Sequence, residues 1–165
     1  MTDKPANKAT AEILSNLNDE CTSLRAFVVL LEDEQRILLG QHTEELLPLA
    51  EAKIQLTNKI STLSAARQKS LPEGARDMLE WLKRNAPQGI PKWHETRQLA
   101  THVQSLNQTN GELIQIKLRY TQQALGVLYG AAQSTAGLYG ACLLYTSPSP
   151  RDGLLSRMPS SGTPS

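Results

Sequence analysis

The sequence predicts an all-α protein: an elongated antiparallel helical bundle, coiled-coil-like, built from three long helices and one short helix. Three observations carry that expectation. First, the chain of 165 residues holds one Phe, two Trp and four Tyr, while Ala, Leu, Gln, Glu, Lys and Arg are plentiful, a bias towards helix and away from sheet. Second, leucines recur on alternating three- and four-residue steps, the spacing of one helical face. Third, Gly and Pro gather at a few places that divide the periodic segments.

The first helix is expected from just after Asn7 to Leu39. Leu14, Leu17, Cys21, Leu24, Val28, Leu31 and Leu38 form a heptad seam, with Gln35 filling one slot. Ile13, Phe27 and Leu30 widen this stripe, as packing against more than one neighbour requires. Gly40 is placed to close the helix in a left-handed conformation. The second helix has Thr43 as its N-cap and Glu44 and Glu45 in its first turn. Pro48 lies about one turn in, and the regular part is expected only from there. Its stripe is Leu49, Ala52 or Lys53, Leu56, Ile60 and Leu63, ending near Gln68 before "KSLPEG". Residues 73–84 read as a short amphipathic helix with Met78, Leu79 and Leu82 on one side and Trp81 beside them. "NAPQGIP" reads as a loop, and a mobile one.

The third long helix is expected from Lys92 or Trp93 to about Ala132. Leu99, Val103, Leu106, Asn110, Leu113, Tyr120, Ala124, Val127 and Ala131 make its stripe. Leu118, Leu125 and Leu128 fall off that line, so the helix has more apolar surface than one seam needs. Covering the surplus calls for a partner chain or dimerisation.

Several functions are disfavoured. The net charge is +1 and no stretch gathers Lys or Arg, which argues against nucleic-acid binding and against a charged membrane surface. The longest apolar run, Ala26 to Leu31, is far short of a membrane span, and "MTDKPANKAT" lacks the apolar core of a secretory signal. With two cysteines, Cys21 and Cys142, the expectation is free thiols and a cytoplasmic location. His94 and His102 are eight positions apart, roughly 12 Å along a helix, too far to share a metal. The acidic pairs Asp33–Glu34 and Glu44–Glu45 read as charged outer surface. No phosphate loop or nucleophile elbow is present, so neither an enzyme nor a cofactor is expected.

"LNQTNGELIQ", residues 106–115, is the most informative stretch. A glycine inside a helix costs about 1 kcal/mol relative to alanine. A polar residue on a seam, here Asn110, weakens apolar packing but sets register or partner choice. Gly111 would let another group approach closely. Spacing alone slightly favours a local packing adjustment among the three helices.

"LNQTNGELI", followed by "QQALGVL" at 122–128 and "LYG" at 138–140, resembles the FlgN family. "LEDEQRILLG" and "EELLPLAEAKIQL", with Glu51 and Lys53, agree, and the resemblance covers residues 10–140. It implies a flagellar export chaperone that holds the C-terminal helical segments of the hook-associated proteins FlgK and FlgL and delivers them to the type III export gate. It implies helix-in-groove recognition, or a helix added to a bundle, by mutually buried apolar anchors. Leu113, Ile114, Leu118, Leu125 and Leu128 are the expected cargo anchors, with Asn107, Asn110 and Gly111 tuning the approach; Leu113 and Val127 are equally suited to bundle core. It further implies that Tyr139 docks on the gate protein FlhA. The rival reading is a structural coiled-coil protein whose surplus stripe serves self-association alone.

The chaperone domain is expected to occupy residues 1–141. From Cys142 the pattern is lost. "CLLYTSPSPRD" resembles the translation of a transposase-type sequencing-library adapter, and "SRMPSS" at 156–161 resembles its far end. Residues 142–165 are therefore read as a non-native disordered tail. Setting them aside removes Arg151, Asp152 and Arg157, which brings the net charge to zero, and leaves Cys21 as the sole cysteine.

Overall fold

The computed structural model describes residues 4–75 and 77–138. Within them the chain forms four α-helices: α1 (Lys4–Leu39), α2 (Leu46–Lys69), α3 (Met78–Asn85) and α4 (Ile90–Leu138). Two 3₁₀ turns, Thr43–Glu45 and Pro87–Gly89, sit in the connections. The all-α expectation holds, with three helices of 36, 24 and 49 residues and one of 8. The chain divides into two compact units, residues 1–116 and residues 117–165.

In the first unit, α1 is the central helix. Its predicted seam is the one that folds inward: Leu17, Cys21, Leu24, Leu31 and Leu38 are buried, and so are Ile13 and Phe27 from the widened stripe. α2 runs antiparallel to α1, since Lys53 near its start meets Glu34 and Arg67 near its end meets Glu20. No residue of α2 is fully buried. Leu49, Lys53, Leu56, Ile60 and Leu63 are half-buried, so this helix covers α1 with one narrow face. α3 then turns the chain. α4 runs parallel to α1, with Glu95 bonded to Arg25 and Asn110 bonded to Glu34. An up-down-up path demands this order.

A compact apolar cluster closes the end where α3 lies. Ile13 and Leu17 of α1 pack with Met78, Trp81, Leu82 and Ala86. Leu14, Leu71, Ile90 and Trp93 border them. Trp81 thus belongs to the buried face and Leu79 is only half-buried, a small rotation from the predicted face.

Several boundaries differ from the sequence expectation, each for a local reason. α1 begins at Lys4, four residues before the expected start at Lys8, with Pro5 in a first turn that has no need of its missing N–H. Gly40 closes α1 without a left-handed backbone; its N–H bonds to the Arg36 and Ile37 carbonyls at 3.0 and 3.1 Å. The one positive φ among the described residues is at Gly74, 97°. It is the third residue of a turn closed by Ala75 N–H on the Pro72 carbonyl at 3.1 Å, where a type II turn requires it. This turn, and the extended Asp77 at φ −151°, delay α3 from residue 73 to Met78. Thr43 opens a 3₁₀ turn rather than capping α2, which starts at Leu46 with Pro48 inside its first turn.

"NAPQGIP" is a packed corner, not a loose loop. Ala86, fully buried, has φ −153° and ψ 66°, outside the helical region that a following proline disfavours, and Gly89 N–H bonds to its carbonyl at 2.9 Å. A Cβ on Gly89 would lie 2.6 Å from Leu14 Cδ2 and 2.9 Å from Leu82 Cδ2. Glycine lets the corner press against α1 and α3 without displacing these two leucine side chains. α4 therefore starts at Ile90, earlier than expected, and reaches Leu138, six residues beyond Ala132.

Candidate functional site

Two polar layers fasten the first unit, and each draws one residue from α1, α2 and α4. In the first, the buried Glu20 receives Arg67 Nε at 2.6 Å and Nη2 at 3.3 Å. The Arg67 guanidinium also lies 4.8 Å from the centre of the Trp93 ring, within cation–π range. In the second, Lys53 Nζ lies 3.1 and 2.9 Å from the two Glu34 carboxylate oxygens. Asn110, fully buried, donates one amide hydrogen to the same carboxylate and the other to the Leu31 carbonyl, both at 2.8 Å.

These layers correct the expectation for Glu34, which is buried rather than part of a charged outer surface. The adjacent Asp33 keeps to the outside and pairs with Arg36 at 2.6 Å. Removing one partner of such a buried pair strands the other charge, at a cost of about 3–5 kcal/mol. Lys53, in the stretch that resembles the FlgN family, thus has a structural task.

A third contact between α1 and α4 is more exposed. Arg25 donates through Nε to Glu95 Oε1 at 2.8 Å, and Lys92 reaches the other oxygen at 3.1 Å. The Arg25 hydrogen bonds, and then the Lys92 one, hold the Glu95 carboxyl down at about 2 against its ordinary 4.5. Nearby, burial pushes the Cys21 thiol above its ordinary 9.0, with Thr96 opposing.

The expected cargo residues fall into two sets. In the first unit, Asn107 is exposed and Ile114 is 37% exposed, while Leu113 is half-buried. Asn110 is taken up wholly inside the bundle, so a tuning contact with cargo is not open to it in this structure. It makes the local adjustment among three helices that spacing alone favours. Among the described residues, no atom lies within 4 Å of a would-be Cβ on Gly111. Tyr139 lies outside the described residues, as does everything from Cys142 onward.

In the second unit, Leu118, Leu125 and Leu128 are exposed by 49, 60 and 66%. They are joined by Tyr120 and Val127 of the expected seam and by Tyr129 outside it, which are 75, 73 and 44% exposed. Every described side chain from 118 to 134 is exposed. The seam therefore works as a half-buried stripe through Leu99, Val103, Leu106 and Leu113, with Asn110 fully buried, and not at Tyr120 and beyond.

A family model described as FlgN protein matches residues 1–142. The chain belongs to the FlgN family. No curated protein and no solved structure matches it. FlgN-family proteins are flagellar export chaperones that bind hook-associated proteins, and the match covers the first unit and residues 117–142 of the second. His94 and His102 of this FlgN-family chain are exposed on α4, and His42 sits 3.5 Å from Glu44 at the exposed first connection. Among the described residues no helix is long and apolar enough to cross a membrane.

Proposed function

We propose that this FlgN-family protein is a cytoplasmic chaperone for FlgK and FlgL, holding their C-terminal helical segments on the second unit and passing them to the export gate through FlhA. The observation that carries the proposal is the exposure of Leu118, Leu125 and Leu128 on a helix whose described side chains from 118 to 134 all face solvent. An amphipathic cargo helix buries its apolar face against such anchors, and each fully buried leucine contributes roughly 1.5–3 kcal/mol of transfer free energy. Tyr139, next to the end of α4, is the proposed contact with FlhA; a tyrosine supplies a large apolar ring and a hydroxyl at small entropic cost.

The test is complex formation with the C-terminal regions of FlgK-type and FlgL-type proteins on size exclusion at micromolar concentration. Leu118→Asp and Leu125→Asp should weaken the complex and leave the circular dichroism of the free protein unchanged. A tight homo-oligomer by light scattering, indifferent to either cargo, would support the self-association reading instead.

A further inference from the structure

Asn110 is followed by Gly111, the one Asn-Gly pair in the sequence, and such a pair carries a reaction of its own. In a free chain the Gly111 backbone nitrogen, giving up its proton to water or hydroxide, attacks Asn110 Cγ. A C–N bond forms, the Cγ–Nδ2 bond breaks and ammonia leaves. Water then opens the five-membered imide to aspartate or isoaspartate. Glycine favours the ring closure because no side chain crowds the attacking nitrogen. The fold opposes each step. Residue 111 lies inside α4, where a backbone N–H is bonded to the carbonyl four residues back. The helical ψ, about −42°, keeps the ring from closing. Nδ2, the nitrogen that would leave, donates to the Leu31 carbonyl and the Glu34 carboxylate, both at 2.8 Å. The side chain is fully buried, and its Oδ1 has no hydrogen-bond partner among the described residues. The hold on the amide therefore comes from α1. Packing does not demand glycine at 111, where a Cβ would meet nothing within 4 Å among the described residues.

We infer that Asn110 is a latent deamidation site that α1 keeps closed, and that separation of α4 from α1 lets the reaction run and makes the separation permanent. Deamidation replaces the donor at 110 by a carboxylate, which accepts hydrogen bonds and gives none. Re-docked, it would face the Leu31 carbonyl and the Glu34 carboxylate with no hydrogen to share. Lys53 would then have two buried carboxylates to neutralise instead of one. Isoaspartate adds a further obstacle, since it routes the main chain through Cβ and breaks the helical repeat. The layer that fastens three helices thus also records whether they have come apart.

The experiment incubates the full chain at mildly alkaline pH, in buffer and in urea, and follows the tryptic peptide of residues 98–117 by mass spectrometry. Asn107, exposed and followed by Gln108, lies in the same peptide and is the internal reference. In urea Asn110 should convert at least about tenfold faster than Asn107, whose neighbour has a side chain in the way. In buffer it should convert at least about a hundredfold more slowly than in urea, the ratio reading how rarely α4 opens. Gly111→Ala should slow the reaction in urea at least about tenfold and leave the circular dichroism of the folded protein unchanged. Asn110→Asp, the product made directly, should lower the folding equilibrium constant further than Asn110→Ala does. Conversion in buffer at the urea rate would overturn the protection by α1. Equal conversion of Asn107 and Asn110 in urea would overturn the assignment of the site. An Asn110→Asp protein no less stable than Asn110→Ala would overturn the permanence of the separation.

Discussion

Asn110 donates a 2.8 Å hydrogen bond to Glu34 from the far side of the bundle, and Lys53 meets the same carboxylate from a third helix. A buried carboxylate held this way is satisfied only while both partners are present.

Asn110→Ala should therefore destabilise the protein by about 1–3 kcal/mol, the cost of removing a hydrogen-bond partner from a buried charge. Lys53→Met should cost about as much or more, because it strands Glu34. Joint replacement of Glu34, Lys53 and Asn110 by apolar residues of similar size should recover most of the loss. Urea unfolding followed by circular dichroism measures all three.

Two glycine substitutions should move stability in opposite directions. Gly89→Ala drives a methyl group into Leu14 and Leu82, and overpacking of this kind costs about 1–3 kcal/mol. Gly126→Ala meets nothing within 4 Å and should stabilise its helix by up to about 1 kcal/mol. Thermal melts of the two variants decide.

Acid should weaken the contact between α1 and α4. The folded Glu95 carboxyl lies at about 2, below its ordinary 4.5. Its stabilising effect is therefore complete above the unfolded value and fades as pH falls from about 5 towards 2. Arg25→Ala should flatten the pH dependence of stability in that window and leave the slope near neutrality unchanged. Denaturant midpoints at a series of pH values measure this.

Tyr139→Ala should abolish binding to the FlhA cytoplasmic domain and leave cargo affinity unchanged. Parallel titrations against the two partners separate the effects. Loss of both would place Tyr139 in the cargo surface.

Periodicity makes the helices and the α1 seam legible, because the spacing of Leu17, Leu24 and Leu31 places them on one face of the helix. Glu20 and Glu34 were not legible. Each neighbours a seam position, and whether such a residue is buried depends on a cation arriving from another helix, which no local pattern records. Tyr120 and Val127 failed for the complementary reason. They continue the spacing of Leu106 and Leu113, yet they are exposed, and spacing does not say whether a neighbour is there to cover them. Gly89 was read as a breaker because its packing partners, Leu14 and Leu82, are brought to it only by the fold.

Coiled-coil pairs can ordinarily slide by seven residues and still present leucines to leucines. The spacing of the charges on α1 and α2 forbids that slide. Glu20 and Glu34 are two heptads apart, as are Lys53 and Arg67. Shifting α2 by one heptad either way would set Ile60 against one carboxylate and Leu46 or Gly74 against the other. Both carboxylates would then be buried without a cation. The pair works like a two-toothed key: a helix with no fully buried residue of its own is still seated in one position.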